Sequence, residues 1–226
     1  MQDTYLSAEA DEVDWRGAKQ RLRSALVSDA LDALDYRHQC LPAAMSSLRA
    51  GTAVVGRAFP VQIVPVDALP EVPYVGLLAS LDAIEAGDVY VAAVGQSADV
   101  AIWGELVTTA CLARGAVGAI CDGYARDTAR IRDLDFPVFC RGTIPTDSNG
   151  RSEVRAHNIA VTIEGVRIEP GDLIVADDDG VAVVPSALLT KVVHMALEKD
   201  AHESDFRAAV ASGMAATVAF AKFGVL

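Results

Sequence analysis

GELVTTACLARGAVGAICDGYARDTARIRDLDFPVFCRGTIPTDSNGR, residues 104–151, is the stretch on which the fold turns. Gly104 opens an amphipathic helix that runs to Arg114. The arginine sits favourably near the negative end of the helix dipole, and Gly115 ends the helix. Residues 117–121 then read as a buried strand, 128–132 as a short helix and 136–140 (FPVFC) as another strand. Between strand and helix lies Asp122-Gly123-Tyr124-Ala125-Arg126-Asp127, which places a cation and an anion side by side after a glycine turn. An Arg-Asp pair after an apolar strand is a poor way to build a core. It suits a small anion held beside a metal ion.

Working outward, residues 16–37 read as one helix with Leu22, Leu26, Ala30, Leu31 and Leu34 on its apolar face. The Val- and Ile-rich segment 51–66 reads as strand, interrupted at Pro60 and ended at Pro65. A helix over 74–85 stops at Gly87, a strand follows over 88–94, a polar loop over 96–100, and a short apolar segment over 101–103. Residues 159–168 alternate as a hairpin arm does. Residues 172–176 and 181–184 flank Asp177-Asp178-Asp179-Gly180, a tight-turn signature that lacks the full ligand spacing of a calcium loop. The last helix is read over 186–210. With no internal repeat and no low-complexity linker, residues 1–226 read as a single mixed α/β domain. A polar N-terminal extension occupies about residues 1–15, and a C-terminal helical segment about 186–226.

A chain of 226 residues that is 52% hydrophobic can bury a substantial core, and its shortage of aromatics (6%) favours well-packed α/β layers. No run approaches the roughly 20 apolar residues of a membrane helix. The start, MQDTYLSAEADEVDW, is acidic and polar and is not a signal peptide, so the expected location is the cytoplasm. A net charge of −12, with basic residues scattered singly, argues against non-specific nucleic-acid binding. Cys40, Cys111, Cys121 and Cys140 share no zinc-site spacing, and the last three, in or beside apolar runs, read as reduced core residues.

The candidate site can be argued from its chemistry. A helix that starts at Gly104 leaves the first N–H groups unpaired at the positive end of its dipole, where a carboxylate or phosphate can bind. An ordinary helix start, with Glu105 favouring the dipole, has the same sequence. The Arg126 guanidinium suits bidentate capture of a carboxylate, and Asp127 could hold a hard cation such as Mg2+. A surface ion pair is the alternative. Ser28-Asp29 reads as a helix-turn element, and Arg141 and Arg151 as surface arginines or contacts for a distal carboxylate. The histidines (His38, His157, His194, His202) stand outside the motif, and no lysine stands within it to support a Schiff base.

These residues also carry a resemblance. GDVYVAA, WGEL, ARGAVGAICDGYARD, FPVFCRGTIP and the following GR, with VSDALDAL at 27–34, GRAFPV at 56–61 and PGDLIVADDDGVAVVP at 170–185, resemble the RraA-like / 4-hydroxy-4-methyl-2-oxoglutarate (HMG) aldolase family over about residues 20–200. The resemblance implies a swivelling β/β/α-type domain, with helices flanking a mixed sheet, assembled as a homotrimer or homohexamer with sites at subunit boundaries. It implies an aldolase that uses Mg2+ or Mn2+ and cleaves 4-hydroxy-2-oxo diacids, such as HMG or 4-carboxy-4-hydroxy-2-oxoadipate, to pyruvate, with oxaloacetate decarboxylation as a side activity. Arg126 would grip the carboxylate at the pyruvate end, Asp127 would hold the metal mostly through water, and the backbone at Gly104, Leu106 and Val107 would complete the anion site. Glu105 would be a third catalytic residue, contacting the metal-bound water; it stands where such aldolases often carry Asp, one methylene longer. A glutamate from a neighbouring subunit's C-terminal helix, Glu198 or Glu203, would relay a proton. The family also includes a regulator that binds ribonuclease E, and a related 2-oxo acid decarboxylase or lyase is a third reading.

Overall fold

The computed structural model describes residues 15–95 and 99–225; the N-terminal extension and residues 96–98 of the polar loop lie outside the described residues. The expected first helix is two, α1 (Trp15–Arg21) and α2 (Ser24–Ala33). Arg23 is extended (φ −129°, ψ 147°), and Ser24 starts the second helix by donating its N–H and hydroxyl to Asp177, at 2.8 and 2.5 Å. A side chain far along the chain thus overrides the continuous helical pattern. Asp35, in the left-handed region at φ 66°, follows the end of α2.

A nine-stranded mixed sheet forms the body. Its strands are β1 (Ser46–Ser47), β2 (Val54–Pro65), β3 (Asp88–Ala93), β4 (Ala101–Trp103), β5 (Gly118–Ala125), β6 (Val138–Thr143), β7 (Ser152–His157), β10 (Leu173–Asp177) and β11 (Gly180–Val184). The order is β1-β6-β5-β3-β2-β10-β11, with β4 beside β5 and β7 beside β2. The central strands β2, β3, β5 and β6 run parallel, whereas β7 and β10 are antiparallel to β2. Residues 39–41 exchange hydrogen bonds with β11, and β1 pairs with β6, so one short segment ties the two ends of the sheet and nearly closes it. The strands β8 (Val161–Ile163) and β9 (Val166–Ile168) form a separate hairpin. Residues 159–168 therefore hold a complete hairpin, where the alternation suggested one arm. Glu164 (φ 47°) and Gly165 (φ 87°) make its turn.

Two further expectations are corrected. β2 is continuous through Pro60, because the antiparallel neighbour changes there. β10 pairs up to Arg57 and β7 takes over at Val61, so the missing N–H falls between two partners. β5 likewise runs on past Cys121 to Ala125. β3 pairs with it up to Cys121, β4 pairs from Tyr124, and its register with β6 shifts between the two. Gly123 is thus inside a strand, where a Cβ would come within 3.1 Å of Ile102 on β4. Close approach, not a turn, needs the glycine.

On one face of the sheet lie α3 (Val75–Asp82), α4 (Glu105–Arg114) and α5 (Thr128–Asp133), over a cluster with Phe59, Tyr90, Trp103, Cys111, Ile131 and Phe136. The other face packs Val91, Ile120, Phe139 and Ile174 against the β8–β9 hairpin. A third cluster joins α1 and α2 to β10, β11 and α6 (Leu189–Ala211). The C-terminal segment is broken at Gly213 (φ 99°) and resumes as α7 (Ala216–Phe223), a helix beyond the single one expected. The Asp178-Asp179 corner joins β10 to β11 as the expected hairpin, with Asp177 opposite Gly180. No helix among the described residues is long and apolar enough to cross a membrane.

Candidate active site

The site is assembled where β4 hands over to α4 and β5 hands over to α5. Trp103, the last residue of β4, is buried, stacked on Phe136 and edge-on to Tyr90. Its indole N–H donates to Thr108 Oγ1 at 2.8 Å, and that hydroxyl donates to the Gly104 carbonyl at 3.0 Å. The start of α4 is therefore pinned from below. Tyr90 shares a 2.8 Å hydrogen bond with Ser80 of α3, which fixes the second helix over the same aromatic floor. Burial drives the Tyr90 hydroxyl pKa upward, so this contact stays uncharged.

Gly104 is the N-cap of α4, and no side chain caps this end. The N–H groups of Glu105, Leu106 and Val107 consequently lack an intrahelical acceptor and face outward at the positive end of the dipole. Gly104 packs directly against the Arg-Asp pair. A Cβ on it would lie 3.0 Å from Asp127 Oδ2 and 3.6 Å from Arg126 Cγ. The pair itself is held by backbone. The Arg126 N–H donates to the Trp103 carbonyl at 2.9 Å, and Asp127 adopts a left-handed conformation (φ 57°, ψ 30°) as the N-cap of α5. Asp is one of the few residues that tolerate this conformation.

The side chains are loosely engaged. Arg126 Nε is 3.6 Å from Asp127 Oδ2 and its Nη1 is 3.3 Å from Asp147 Oδ1, with 37% of the Arg126 side chain and 48% of Asp127 exposed. Asp147, in the loop after β6, was not singled out by sequence reasoning. It lies in the quoted 104–151 stretch, and Ala101 anchors its loop by donating to the Thr146 carbonyl at 2.8 Å. Its carboxylate could have been noticed as a polar residue between Pro145 and Gly150, but nothing local ties it to Arg126.

Arg126, Asp127 and Asp147 stand on the rim of a cleft of about 320 Å3 between α3 and α4. Gly104, Leu106 and Val107 line it. Glu105 does not line it. The Thr109 hydroxyl, one turn along, donates to the Glu105 carbonyl at 3.0 Å and lies 3.3 Å from the Glu105 carboxylate. The apolar wall from α3, with Leu77, Leu78 and Leu81, had no sequence signal beyond its helical pattern. A second depression, of about 300 Å3, lies on the other side of Arg126 and Asp127, against Thr143 and Pro145.

The other candidate residues lie elsewhere. Glu203 pairs along α6 with Lys199 and Arg207, each at 3.9 Å, and Glu198 is exposed on the same helix; neither lines the cleft of its own chain. Arg141 is bound to Asp122 at 2.7 Å and to Glu164 at 2.8 Å, which fastens the β8–β9 hairpin to the sheet. Arg151 donates to the Asp147 carbonyl at 2.9 Å, and Asp29 pairs with Lys199 of α6. Cys111, Cys121 and Cys140 are buried free thiols, as expected, and burial pushes Cys111 up to about 12.

Among the described residues, no three His, Cys, Asp or Glu side chains converge as a metal cage. Mg2+ does not need one, since it keeps several waters and takes one or two carboxylates. Asp127, with Asp147 across Arg126, fits a largely hydrated ion of that kind and does not fit a closed four-ligand zinc site.

Residues 24–183 match the family described as RraA-like, Aldolase/RraA. A Halalkalibacterium halodurans protein named "Putative 4-hydroxy-4-methyl-2-oxoglutarate aldolase" is 31% identical over 209 residues, covering 92% of this chain and 94% of that one. Protein DlpA of Legionella pneumophila is 31% identical over 190 residues, 84% of this chain, and the chain spans only 30% of its length. The crystal structure of Streptomyces coelicolor RraAS2, described as an unusual member of the RNase ES inhibitor RraA protein family, superposes with a TM-score of 0.76. It is 32% identical, over 84% of this chain and 95% of that one. On a family match that spans most of its length, and on a fold shared with these relatives, the chain belongs to the RraA-like family.

Proposed function

We propose that the protein is a metal-assisted carbon–carbon lyase that cleaves 4-hydroxy-2-oxo acids to pyruvate. The observation that carries this reading is Arg126 and Asp127, loosely paired at 3.6 Å on the rim of a cleft, beside an uncapped helix start. A pair built for stability would be short and enclosed. This one is long and partly exposed, and although the guanidinium also meets Asp147 at 3.3 Å, both groups stay open to a ligand.

In this reading Arg126 binds the carboxylate next to the oxo group in a bidentate manner, and the N–H groups of Leu106 and Val107 share that negative charge. Asp127, aided by Asp147, would hold Mg2+ or Mn2+, which when bound supplies Lewis-acid stabilisation of the charge that builds on the 2-oxo oxygen. A base takes the C4 hydroxyl proton, the C3–C4 bond breaks, its electron pair passes to the pyruvate fragment, and C3 is reprotonated. Oxaloacetate decarboxylation yields the same fragment and is the expected side activity. No His or Lys lines the cleft among the described residues, and in this reading carboxylates acting through water carry the protons. In a homotrimer or homohexamer, Glu198 or Glu203 of a neighbouring subunit would supply the relay.

The test is pyruvate release from HMG, 4-carboxy-4-hydroxy-2-oxoadipate and oxaloacetate, with Mg2+ or Mn2+ and then with EDTA. Turnover abolished by chelation and by Asp127→Asn is expected. A second reading rests on the likeness to RraAS2, whose family is described as inhibiting RNase ES. Absence of turnover on every substrate, together with binding to a ribonuclease of that type, would establish the regulator in place of the lyase.

A further inference from the structure

We infer that Asp147 is the site's own substitute for the substrate carboxylate, occupying Arg126 until a dication engages Asp147 in turn. Arg126 then takes an oxo-acid only once the ion is in place. This rests on the lyase reading for its ion and its acid. It concerns Arg126, Asp127 and Asp147 of one chain, whatever a neighbouring subunit adds beyond them.

Arg126 is bracketed by carboxylates. Its Nε lies 3.6 Å from Asp127 Oδ2, and its Nη1 lies 3.3 Å from Asp147 Oδ1. A guanidinium receives an acid through a fork of parallel N–H groups, so each oxygen already beside it competes with an incoming carboxylate. Asp127 is the next residue in sequence and has little choice of neighbour. Asp147 is delivered from another element, and its backbone is anchored there at several points. Ala101 of β4 donates to the Thr146 carbonyl at 2.8 Å and bridges to Asp147, while Arg151 donates to the Asp147 carbonyl at 2.9 Å. The N–H groups of Arg151 and Ser152 close the turn onto the Ser148 carbonyl at 2.8 and 2.9 Å. Arg151, which sequence reasoning offered for a distal carboxylate, thus fixes the loop that presents Asp147.

The anchoring is in the backbone, and the contact itself is displaceable. The Asp147 side chain is 39% exposed and the pair is long, so the carboxylate can turn away without moving its loop. Charge sets the direction of the exchange. With all three groups ionised, the rim sums to +1 − 2 = −1 and repels an anion. Asp127 and Asp147, once engaged by a dication, belong to a cluster of −1 + 2 = +1, and the same engagement loosens both from the guanidinium. Asp147 is therefore a positioning residue, acting on the acid through Arg126. It couples capture of the acid to capture of the ion, and by linkage each tightens the other.

The experiment uses the full chain and propanoate, whose single carboxylate does not chelate the ion, titrated by NMR with EDTA and then with saturating Mg2+. In the unaltered protein, Mg2+ is expected to tighten propanoate binding by at least about 3-fold, within the worth of a half-exposed ion pair. Asp147→Asn keeps the shape and removes the charge. With EDTA present it is expected to bind propanoate about 3- to 5-fold more tightly than the unaltered protein, and to gain less from Mg2+. Loss of a side chain that merely supports the fold would not tighten binding. Asp147→Glu, which retains the charge, is expected to stay within about 2-fold of the unaltered protein. Unchanged or weaker binding by Asp147→Asn without metal overturns the inference, and so does a gain in Asp147→Glu equal to that in Asp147→Asn. Turnover separates the two proposals. Pyruvate release by the unaltered protein, without the gain in Asp147→Asn, keeps the lyase and sinks the role of Asp147. The gain with no pyruvate from any substrate supports that role and sinks the lyase.

Discussion

Two Arg–Asp pairs involve the same strand, β5, and they behave as opposites. Asp122, in the middle of the strand, is 2% exposed and accepts from Arg141 at 2.7 Å and from the Gly95 N–H at 3.4 Å. Arg126 and Asp127, just past the end of the strand, sit 3.6 Å apart, partly open on two sides. The first pair is short and largely enclosed, and the Glu164 contact adds the β8–β9 hairpin to the same knot. The second is long and partly exposed, and its backbone is fixed more firmly than its side chains. Residue identity does not separate structure from function here. What separates them is how much of each group's bonding capacity is already used.

The largest effect expected from this contrast is on folding. Arg141→Ala leaves a buried carboxylate without its cation and should cost about 3 kcal/mol or more, read from the urea midpoint, whereas Arg126→Ala should shift it by less than about 0.5 kcal/mol. Equal costs would erase the distinction. The next is on chemistry: Arg126→Ala should lower kcat/KM for the preferred 2-oxo acid by about 100-fold or more, through both capture and stabilisation of the developing charge. Unchanged kinetics would return Arg126 to the surface.

Asp127 sharpens the comparison further. Asn and Ala both remove the metal-binding charge, so Mn2+ affinity should fall in each. Only Ala also loses the side-chain preference for the left-handed backbone, at about 1 kcal/mol of stability. Gly104→Ala should be milder, because its Cβ would press on the movable end of Asp127 and not on backbone. A loss of roughly 3- to 10-fold in activity, with stability retained, would confirm that this glycine serves carboxylate placement. The smallest effect is a silence. Burial raises the thiol pKa of Cys111, Cys121 and Cys140, so each stays protonated as pH rises through 8, and only the exposed Cys40 should react with a thiol reagent before unfolding. Titration of a second thiol in the native protein would show that the core beneath the site opens.

Much of this was legible in sequence because the signals were local. The α4 boundaries follow from Gly104 and Gly115, and the β10–β11 hairpin from its acidic turn. Failures arose where a distant partner decided the outcome. The break before Ser24 depends on Asp177, the continuity of β2 through Pro60 on a change of neighbours, and the extension of β5 past Gly123 on β4. The site divides in the same way. Arg126, Asp127 and the start of α4 could be found from type and spacing, but Asp147 and the leucines of α3 reach the cleft only through tertiary packing. Glu105 suited the helix dipole, yet its carboxylate bonds back onto its own helix.

The left-handed turn at Asp127 has an evolutionary corollary. Asparagine or glycine would sit there as comfortably as aspartate, so the negative charge can vanish in one step while the scaffold stays whole. A lineage could therefore pass from catalyst to pure binder without crossing a valley of misfolded intermediates, which would let one architecture host both trades.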